Sequence, residues 1–200
     1  FNNNGIKFVK DNNIKNIICC VFDDDVKSKH HDFLTSIPGL SILYLPLYDS
    51  ETQSLWDLND DGIRFAKFNM SISEYDSLQK KLTGYKKKPY IEIGHDFMTT
   101  TINSGEKILV HCMGGVSRSA SLVIYYLMRS NGMTYENAHK SVKSSRPVIR
   151  PNKTFEKQLI LFDKKRGELK WSEQQKIPEE VITERAKQNN LTNLSKWSIY

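Results

Sequence analysis

The 200-residue sequence contains no long apolar run, no internal repeat and only three cysteines. The first absence predicts that no helix crosses a membrane, and the second excludes a repeat architecture. Three cysteines are too few for a disulfide framework, and no signal-peptide pattern opens the sequence. We therefore expect a reducing compartment, the cytoplasm or the nucleus. The length suits one domain with an appendage and a full core.

Acidic residues are also in short supply, with 23 Asp and Glu against 29 Lys and Arg. The formal net charge is +6 and the isoelectric point is near 9.1. Such a charge suits an acidic or phosphorylated substrate, but it equally suits nucleic acid or an anionic membrane surface. Charge alone therefore does not choose among these partners.

One stretch specifies chemistry, the sequence HCMGGVSRS from His111 to Ser119. The apolar run Lys107–Val110 before it predicts a buried strand, and Ser119–Gly132 predicts a helix. In the turn between them, Gly114 and Gly115 can take backbone angles closed to other residues, so that successive N–H groups point into one concavity. A loop of this kind at a helix N-terminus is typical of an anion site.

Cys112, Arg118 and Ser119 supply the reactive groups of this loop. Amide dipoles, a helix N-terminus and a nearby arginine can lower a thiol pKa from ~8.5 into the range of roughly 3.5 to 7.5. Cys112 is then largely thiolate at neutral pH. The fork of Arg118 can hold two phosphate oxygens, and the Ser119 hydroxyl can hydrogen-bond the sulfur when it leaves. The alternative, an inert buried thiol near a surface arginine, leaves the glycines and the flanking elements unexplained.

These residues resemble the signature HCxxGxSRS of the cysteine-based dual-specificity protein phosphatases, with no departure at a fixed position. The resemblance covers roughly Gly5 to Leu161. It implies an α/β, protein tyrosine phosphatase-like fold with a central twisted mixed sheet flanked by helices. It also implies a phosphocysteine intermediate, His111 in a supporting role, and no metal or other cofactor. The phosphate loop then consists of Met113, Gly114, Gly115, Val116, Ser117 and Arg118.

The general acid is predicted to be Asp49. Leu40–Leu47 predicts a strand that delivers Asp49 to a loop, where the family carries its acid. Sixty-three positions separate Asp49 from Cys112, about twice the separation typical of the family. We therefore expect an insertion at about residues 51–88. Four competing acids stay open: Asp57, Asp60, Asp61 and Asp76.

The insertion itself has two interpretations. It can be an idle surface loop, because long surface insertions cost little stability. Alternatively it edges the active site, since it begins beside the predicted acid. Its aromatic side chains would then form a wall and its lysines would meet an acidic substrate; these are Trp56, Phe65, Phe68 and Lys86–Lys88.

Three further residues are interpreted mainly through the family. Asn152 matches a position whose side chain braces the phosphate loop in relatives, although a simple helix N-cap is the alternative. Cys19 and Cys20, in the predicted buried strand Ile14–Phe22, are most simply core residues. In several relatives a cysteine on this strand lies behind the phosphate loop, so the resemblance implies a reversible disulfide between Cys112 and Cys20, or Cys19. A zinc site that adds His30 and His31 does not match the usual ligand spacings.

The predicted organisation is a catalytic domain at residues 1–165 and a C-terminal helical extension at 166–200. The family carries one more strand ahead of these elements, and it has no match before Phe1. The resemblance implies hydrolysis of phosphotyrosine and of phosphoserine or phosphothreonine in proteins. The sequence lacks the tyrosine-bearing recognition loop that deepens the pocket in strictly tyrosine-specific relatives. Phosphorylated protein kinases are a substrate class that the resemblance suggests.

Three alternatives to this function remain. The same chemistry could act on a phosphoinositide or on an RNA 5′-phosphate, although residues 113–116 carry no charge and lipid-directed relatives tend to place lysines there. The third alternative is a phosphate-binding module without catalysis. We expect no nucleic acid and no membrane as partners, and the sequence leaves the oligomeric state open.

Overall fold

The computed structural model describes residues 3–21, 37–57, 64–67, 85, 88–173 and 197–199, with side chains for 4–21, 37–57, 85 and 88–167. Several residues singled out above therefore lie outside the described part of the chain. They are His30, His31, Asp60, Asp61, Phe68, Asp76, Lys86 and Lys87.

A five-stranded mixed sheet forms the centre of the fold in the described residues. Its strands are β1 (Asn16–Cys19), β2 (Ser41–Tyr44), β3 (Arg64–Lys67), β4 (Ile108–His111) and β5 (Trp197–Ile199). Their order in the sheet is β3-β2-β1-β4-β5. The neighbours β2, β1, β4 and β5 run parallel, whereas β3 is antiparallel to β2. The expected α/β class with a mixed sheet is confirmed.

Five helices accompany the sheet in the described residues. They are α1 (Asn3–Asp11), α2 (Tyr90–Asn103), α3 (Arg118–Ser130), α4 (Tyr135–Ser145) and α5 (Lys153–Glu173). The strand and helix predicted around the HCMGGVSRS stretch are both present, as β4 and α3. Every residue of α3 from Ser119 to Met128 is buried, which makes it the central helix of the helical layer.

The core lies on both sides of the central strands. All four residues of β2 and all four of β4 are buried, as expected for parallel strands covered on both faces. On the helical side, α2 and α3 approach closely, since a Cβ added to Gly94 would lie 2.7 Å from Leu122 Cδ1. Across the described residues, no helix has the length and apolar character to cross a membrane.

The predicted insertion begins and ends at one place on the fold. The N–H of Tyr90 donates to Asp57 O at 3.0 Å, and the N–H of Ile91 donates to Leu55 O at 3.1 Å. The intervening chain supplies β3 to the sheet. Residues 51–57 pack onto the domain, since Leu55 is fully buried and its N–H donates to Gln158 Oε1 of α5 at 2.8 Å.

Two features of the C-terminal part were not predicted from sequence. Helix α5 continues without a break across residues 165 and 166, where the sequence predicts a boundary. Residues 197–199 form β5, which pairs with β4 beginning at Ile108 and Trp197. The described part of the extension is therefore helix and edge strand.

Candidate active site

The candidate residues follow the carboxyl ends of three parallel strands. Cys20 comes directly after β1, Asp49 lies in the segment after β2, and Cys112 comes directly after β4. The parallel pairing places these strand ends at one edge of the sheet. In α/β sheets this edge is where ligands bind.

The phosphate loop, residues 112–118, joins β4 to the first turn of α3. Gly115 has a φ of 61°, in the left-handed region where any other residue would strain the backbone. Gly114 has no such φ, and a Cβ added to it would meet Val116 Cγ2 at an ordinary 3.5 Å. Of the two glycines expected to take unusual angles, only Gly115 does so.

Donors from the connection between α4 and α5 hold three successive carbonyl groups of this loop. Arg146 donates from Nη2 to Gly114 O at 3.2 Å and from Nε to Gly115 O at 3.0 Å. The backbone N–H of Arg150 donates to Val116 O at 2.8 Å. Sequence analysis missed Arg146, because a side chain that binds carbonyl groups 31 and 32 positions away leaves no local pattern.

The Cys112 thiol lies buried at the base of this loop, with Sγ 3.3 Å from Ser119 Oγ. Burial opposes ionisation, but the hydrogen bonds from the Ser119 hydroxyl and N–H, the Arg118 charge and the Gly115 N–H outweigh it, so the pKa of Cys112 falls below its ordinary value. The thiolate expected from sequence is therefore favoured by several independent contacts.

The Arg118 guanidinium lies beside the loop on the side of the segment that follows β2. Its Nη1 donates to Leu47 O at 3.3 Å, and its Nε lies 4.0 Å from Asp49 Oδ2. The Nε is buried without a hydrogen-bond partner among the described residues. A buried N–H without an acceptor is costly, so the arrangement suits an incoming anion with several oxygens.

Asp49 is tied to the phosphate loop through one carboxylate oxygen. Ser117 Oγ donates to Asp49 Oδ1 at 2.7 Å, and Asn152 Nδ2 donates to the same oxygen at 2.8 Å. In the described residues, Oδ2 makes only the 4.0 Å approach to Arg118. With the Asp49 side chain 37% exposed, one oxygen is fixed and the other remains free for a reacting group.

Asn152 joins three parts of the site. Its N–H donates to Ser117 Oγ at 3.0 Å, its Nδ2 binds Asp49, and its Oδ1 accepts from the N–H of Phe155 at 2.9 Å. Of the two roles considered from sequence, the N-cap of α5 is present. The bond from Asn152 to the phosphate loop is made by its backbone rather than by its side chain, and the side chain binds Asp49.

Among the competing acids, Asp57 is the one within the described residues. Its Oδ2 accepts from Gln53 Nε2 at 2.5 Å and from the N–H of Ser54 at 3.1 Å. These contacts fix a turn at the start of the insertion. Trp56, beside it, packs against Tyr125 and Phe162 with ring centroids 5.7 and 5.9 Å apart.

Cys19, Cys20 and His111 lie directly behind the loop. Cys19 pairs with His111 in the β1–β4 register, and the N–H of Cys20 donates to His111 O at 2.8 Å. Both thiols are buried and free. The pKa of Cys19 is raised to about 12 and that of Cys20 well above its ordinary value, mainly by burial and in part by the nearby Cys112 charge. His111 is buried, with Nδ1 3.4 Å from Cys112 O.

Apolar side chains flank this polar site. In the described part of the chain, four large apolar residues are exposed, and three of them border the site. Met113 follows Cys112 and is 72% exposed, Tyr48 precedes Asp49 and is 54% exposed, and Val148 lies in the Arg146–Arg150 connection and is 58% exposed. We call these three the apolar rim.

Comparisons with known proteins agree with this geometry. The catalytic domain of dual specificity phosphatases matches residues 51–165. A protein of Acanthamoeba polyphaga mimivirus named as a tyrosine-protein phosphatase is 38% identical over 169 residues, or 84% of this chain and 80% of that protein.

Two further relatives extend the comparison. The MAP kinase phosphatase with leucine-rich repeats protein 3 of Dictyostelium discoideum is 44% identical over 82 residues, 38% of this chain and 10% of that protein. The crystal structure of human DUSP28 has a TM-score of 0.56 at 20% identity, covering 82% of this chain and 86% of that one. The last similarity establishes a shared fold.

Proposed function

The chain belongs to the dual-specificity phosphatase family and is a protein phosphatase, and on that basis we propose a two-step reaction through a phosphocysteine on Cys112. One observation carries the proposal. The lowered pKa of Cys112 occurs in a loop whose Ser117 also binds the carboxylate of Asp49. The loop that carries the nucleophile thereby also binds the candidate acid.

In the first step, the Cys112 thiolate attacks phosphorus. The S–P bond forms as the bond from phosphorus to the leaving oxygen breaks, and Asp49 gives that oxygen a proton. Arg118 and the inward N–H groups of residues 113–118 stabilise the charge on the equatorial oxygens. The free Oδ2 of Asp49 is the oxygen suited to carry the proton, because Oδ1 already accepts two hydrogen bonds.

In the second step, a water molecule attacks the phosphocysteine. Asp49, now ionised, takes a proton from the water as the new P–O bond forms and the S–P bond breaks. The departing thiolate accepts the hydrogen bond of the Ser119 hydroxyl, which lies 3.3 Å from the sulfur. Phosphate leaves, and the thiolate is ready for another turnover.

The substrates proposed are phosphotyrosine and phosphoserine or phosphothreonine in proteins, with phosphorylated protein kinases as one class. The Dictyostelium relative is named as a MAP kinase phosphatase, and this name supports that class. The similarity to it spans 82 residues. The uncharged loop residues 113–116 support protein over lipid. A reducing compartment, cytoplasm or nucleus, is proposed because the reaction needs Cys112 as a free thiolate.

The test is turnover of three peptides of one sequence that carry phosphotyrosine, phosphoserine or phosphothreonine. A short-chain phosphoinositide and an RNA with a 5′-phosphate serve as competing substrates. We expect phosphate release from the peptides, with phosphotyrosine among the substrates. Release from the lipid or the RNA alone would contradict the proposal, and peptide binding without release would indicate a phosphate-binding module.

Replacing Ser119 by alanine should raise the pKa of Cys112. A hydrogen bond to a charged group contributes about 1.5–3 kcal/mol, which corresponds to roughly 1 to 2 pKa units. The rate of Cys112 alkylation by iodoacetamide as a function of pH measures this shift. Ser121→Ala is the matched control, since Ser121 Oγ is buried in the same helix and donates to Ser117 O. Equal pH dependences of alkylation for both variants would show that the Ser119 hydroxyl does not stabilise the Cys112 thiolate.

Mild peroxide should join Cys112 to Cys20, or to Cys19, in a disulfide. The thiolate is first oxidised to a sulfenic acid, which the neighbouring thiol then attacks with loss of water. Because the pKa values of Cys19 and Cys20 are raised, we expect this second reaction to be slow. Mass spectrometry should find one linked peptide pair that dithiothreitol releases. Direct conversion of Cys112 to the sulfinic acid would count against the pairing.

A further inference from the structure

Arg146 is the one side chain in the described part of the chain that holds two neighbouring peptide units of the phosphate loop. Its Nη2 and Nε bind the carbonyl groups of Gly114 and Gly115. It is partly buried, and these two bonds join it to the carbonyl side of the loop. Through them it acts on the loop backbone.

The orientation of these carbonyl groups decides the orientation of the next N–H groups. No cis peptide bond occurs in the described residues, and in a trans peptide the C=O and the following N–H point in opposite directions. Holding the oxygens of Gly114 and Gly115 from outside therefore turns the N–H groups of Gly115 and Val116 to the opposite side. That opposite side faces the sulfur, because a hydrogen bond from the Gly115 N–H contributes to the lowered pKa of Cys112.

The sequence of the loop makes such an external restraint necessary. The Gly114–Gly115 peptide unit rotates with little steric hindrance, because neither residue has a Cβ, and the Gly115–Val116 unit has a Cβ on one side only. In a reversed orientation, carbonyl oxygens would face the Cys112 thiolate and an incoming phosphate, where like partial charges repel. The two bonds from Arg146 favour the productive orientation, and its positive charge interacts favourably with the carbonyl ends of both peptide dipoles.

We propose that Arg146 is a positioning residue that keeps the Gly114–Gly115 and Gly115–Val116 peptide units aimed at the phosphate. Its contribution to turnover rests on the function proposed above. Its effect on the Cys112 thiolate does not, because that effect exists without any substrate. The two effects can be measured separately.

Arg150 provides a matched control within the same connection. Arg146 and Arg150 each carry one positive charge, but Arg150 holds Val116 O through its backbone N–H, which a substitution retains. Arg146→Met and Arg150→Met thus each remove one positive charge and put an uncharged, unbranched side chain in its place. Arg146→Lys keeps the charge but offers a point charge in place of the planar fork.

The experiment measures two properties of these variants. The first is the pH dependence of Cys112 alkylation by iodoacetamide, and the second is kcat and KM for p-nitrophenyl phosphate. For Arg146→Met we expect a higher thiol pKa and a kcat about 10²-fold lower, the order lost with one donor to a transition-state oxyanion. Arg146→Lys should fall between wild type and Arg146→Met. Arg150→Met should change both properties much less than Arg146→Met does.

Each outcome separates the possibilities. Equal effects of Arg146→Met and Arg150→Met would overturn the proposal, since loss of charge alone would then explain both. If Arg146→Met does not fold, the comparison of Arg146→Lys with Arg150→Lys replaces it, and equal values there would also overturn it. If the wild-type protein releases no phosphate, the proposed function is wrong. The pH dependence of Cys112 alkylation would still decide the role of Arg146.

Discussion

Replacing Cys112 by serine should lower kcat for a phosphotyrosyl peptide by on the order of 10⁵-fold or more. The serine hydroxyl stays protonated at neutral pH, so the loop stabilises an anion that does not form. The contacts that orient the loop come from Arg146 and Arg150, and the substitution leaves them in place. The variant should therefore bind the phosphopeptide with a Kd close to that of wild type, measured by fluorescence anisotropy.

Cys20→Ala is the control for this result. Cys20 is also a buried, free thiol near the loop, but its pKa is raised where that of Cys112 is lowered. Its removal should leave kcat close to the wild-type value. Substantial turnover by Cys112→Ser would exclude a phosphocysteine on Cys112. Loss of peptide binding as well as turnover would mean that the thiol also holds the loop together.

Replacing Asp49 by asparagine should lower kcat for the same peptide by about 10²-fold or more. The amide oxygen can still accept hydrogen bonds from Ser117 and Asn152, so the loop geometry should persist. What is lost is a group that can protonate the leaving oxygen. For p-nitrophenyl phosphate, whose leaving group needs little protonation, the loss of kcat should be clearly smaller.

Asp57→Asn is the control for the identity of the acid. Its carboxylate binds Gln53 and the N–H of Ser54, so its loss should affect the turn and leave the dependence on leaving group unchanged. A decrease in kcat for Asp57→Asn without one for Asp49→Asn would move the acid to Asp57. Wild-type values of kcat in both variants would leave Asp60, Asp61 and Asp76 as the candidates for the general acid.

Much of the site's framework follows from local sequence patterns. The apolar run before Cys112 predicted β4, which has only four residues, because the run is continuous. The helical pattern after the loop predicted α3, because it extends over 13 residues. The approach of Asp49 to the loop followed from its place after a predicted buried strand, although 63 positions separate it from Cys112. Its role as the acid remains a prediction.

Other features could not be predicted because they depend on contacts distant in sequence. Strands β3 (RFAK) and β5 (WSI) are as short as the predicted strands or shorter, but they lack a continuous apolar run. Their pairing is visible only in the folded chain. The contacts of Arg146 and of Ser117 also join residues more than 30 positions apart. In each case, side-chain chemistry was readable from the sequence but the partner was not.

The apolar rim has a consequence for the thermodynamics of substrate recognition. The phosphate is held by charge, and this part of the binding free energy weakens as ionic strength rises. A peptide that covers Met113, Tyr48 and Val148 also buries apolar surface, which contributes a negative heat-capacity change and depends little on screening. Calorimetry at several temperatures and salt concentrations would thus separate the two parts. Added salt should weaken the binding of free phosphate proportionally more than the binding of a phosphopeptide.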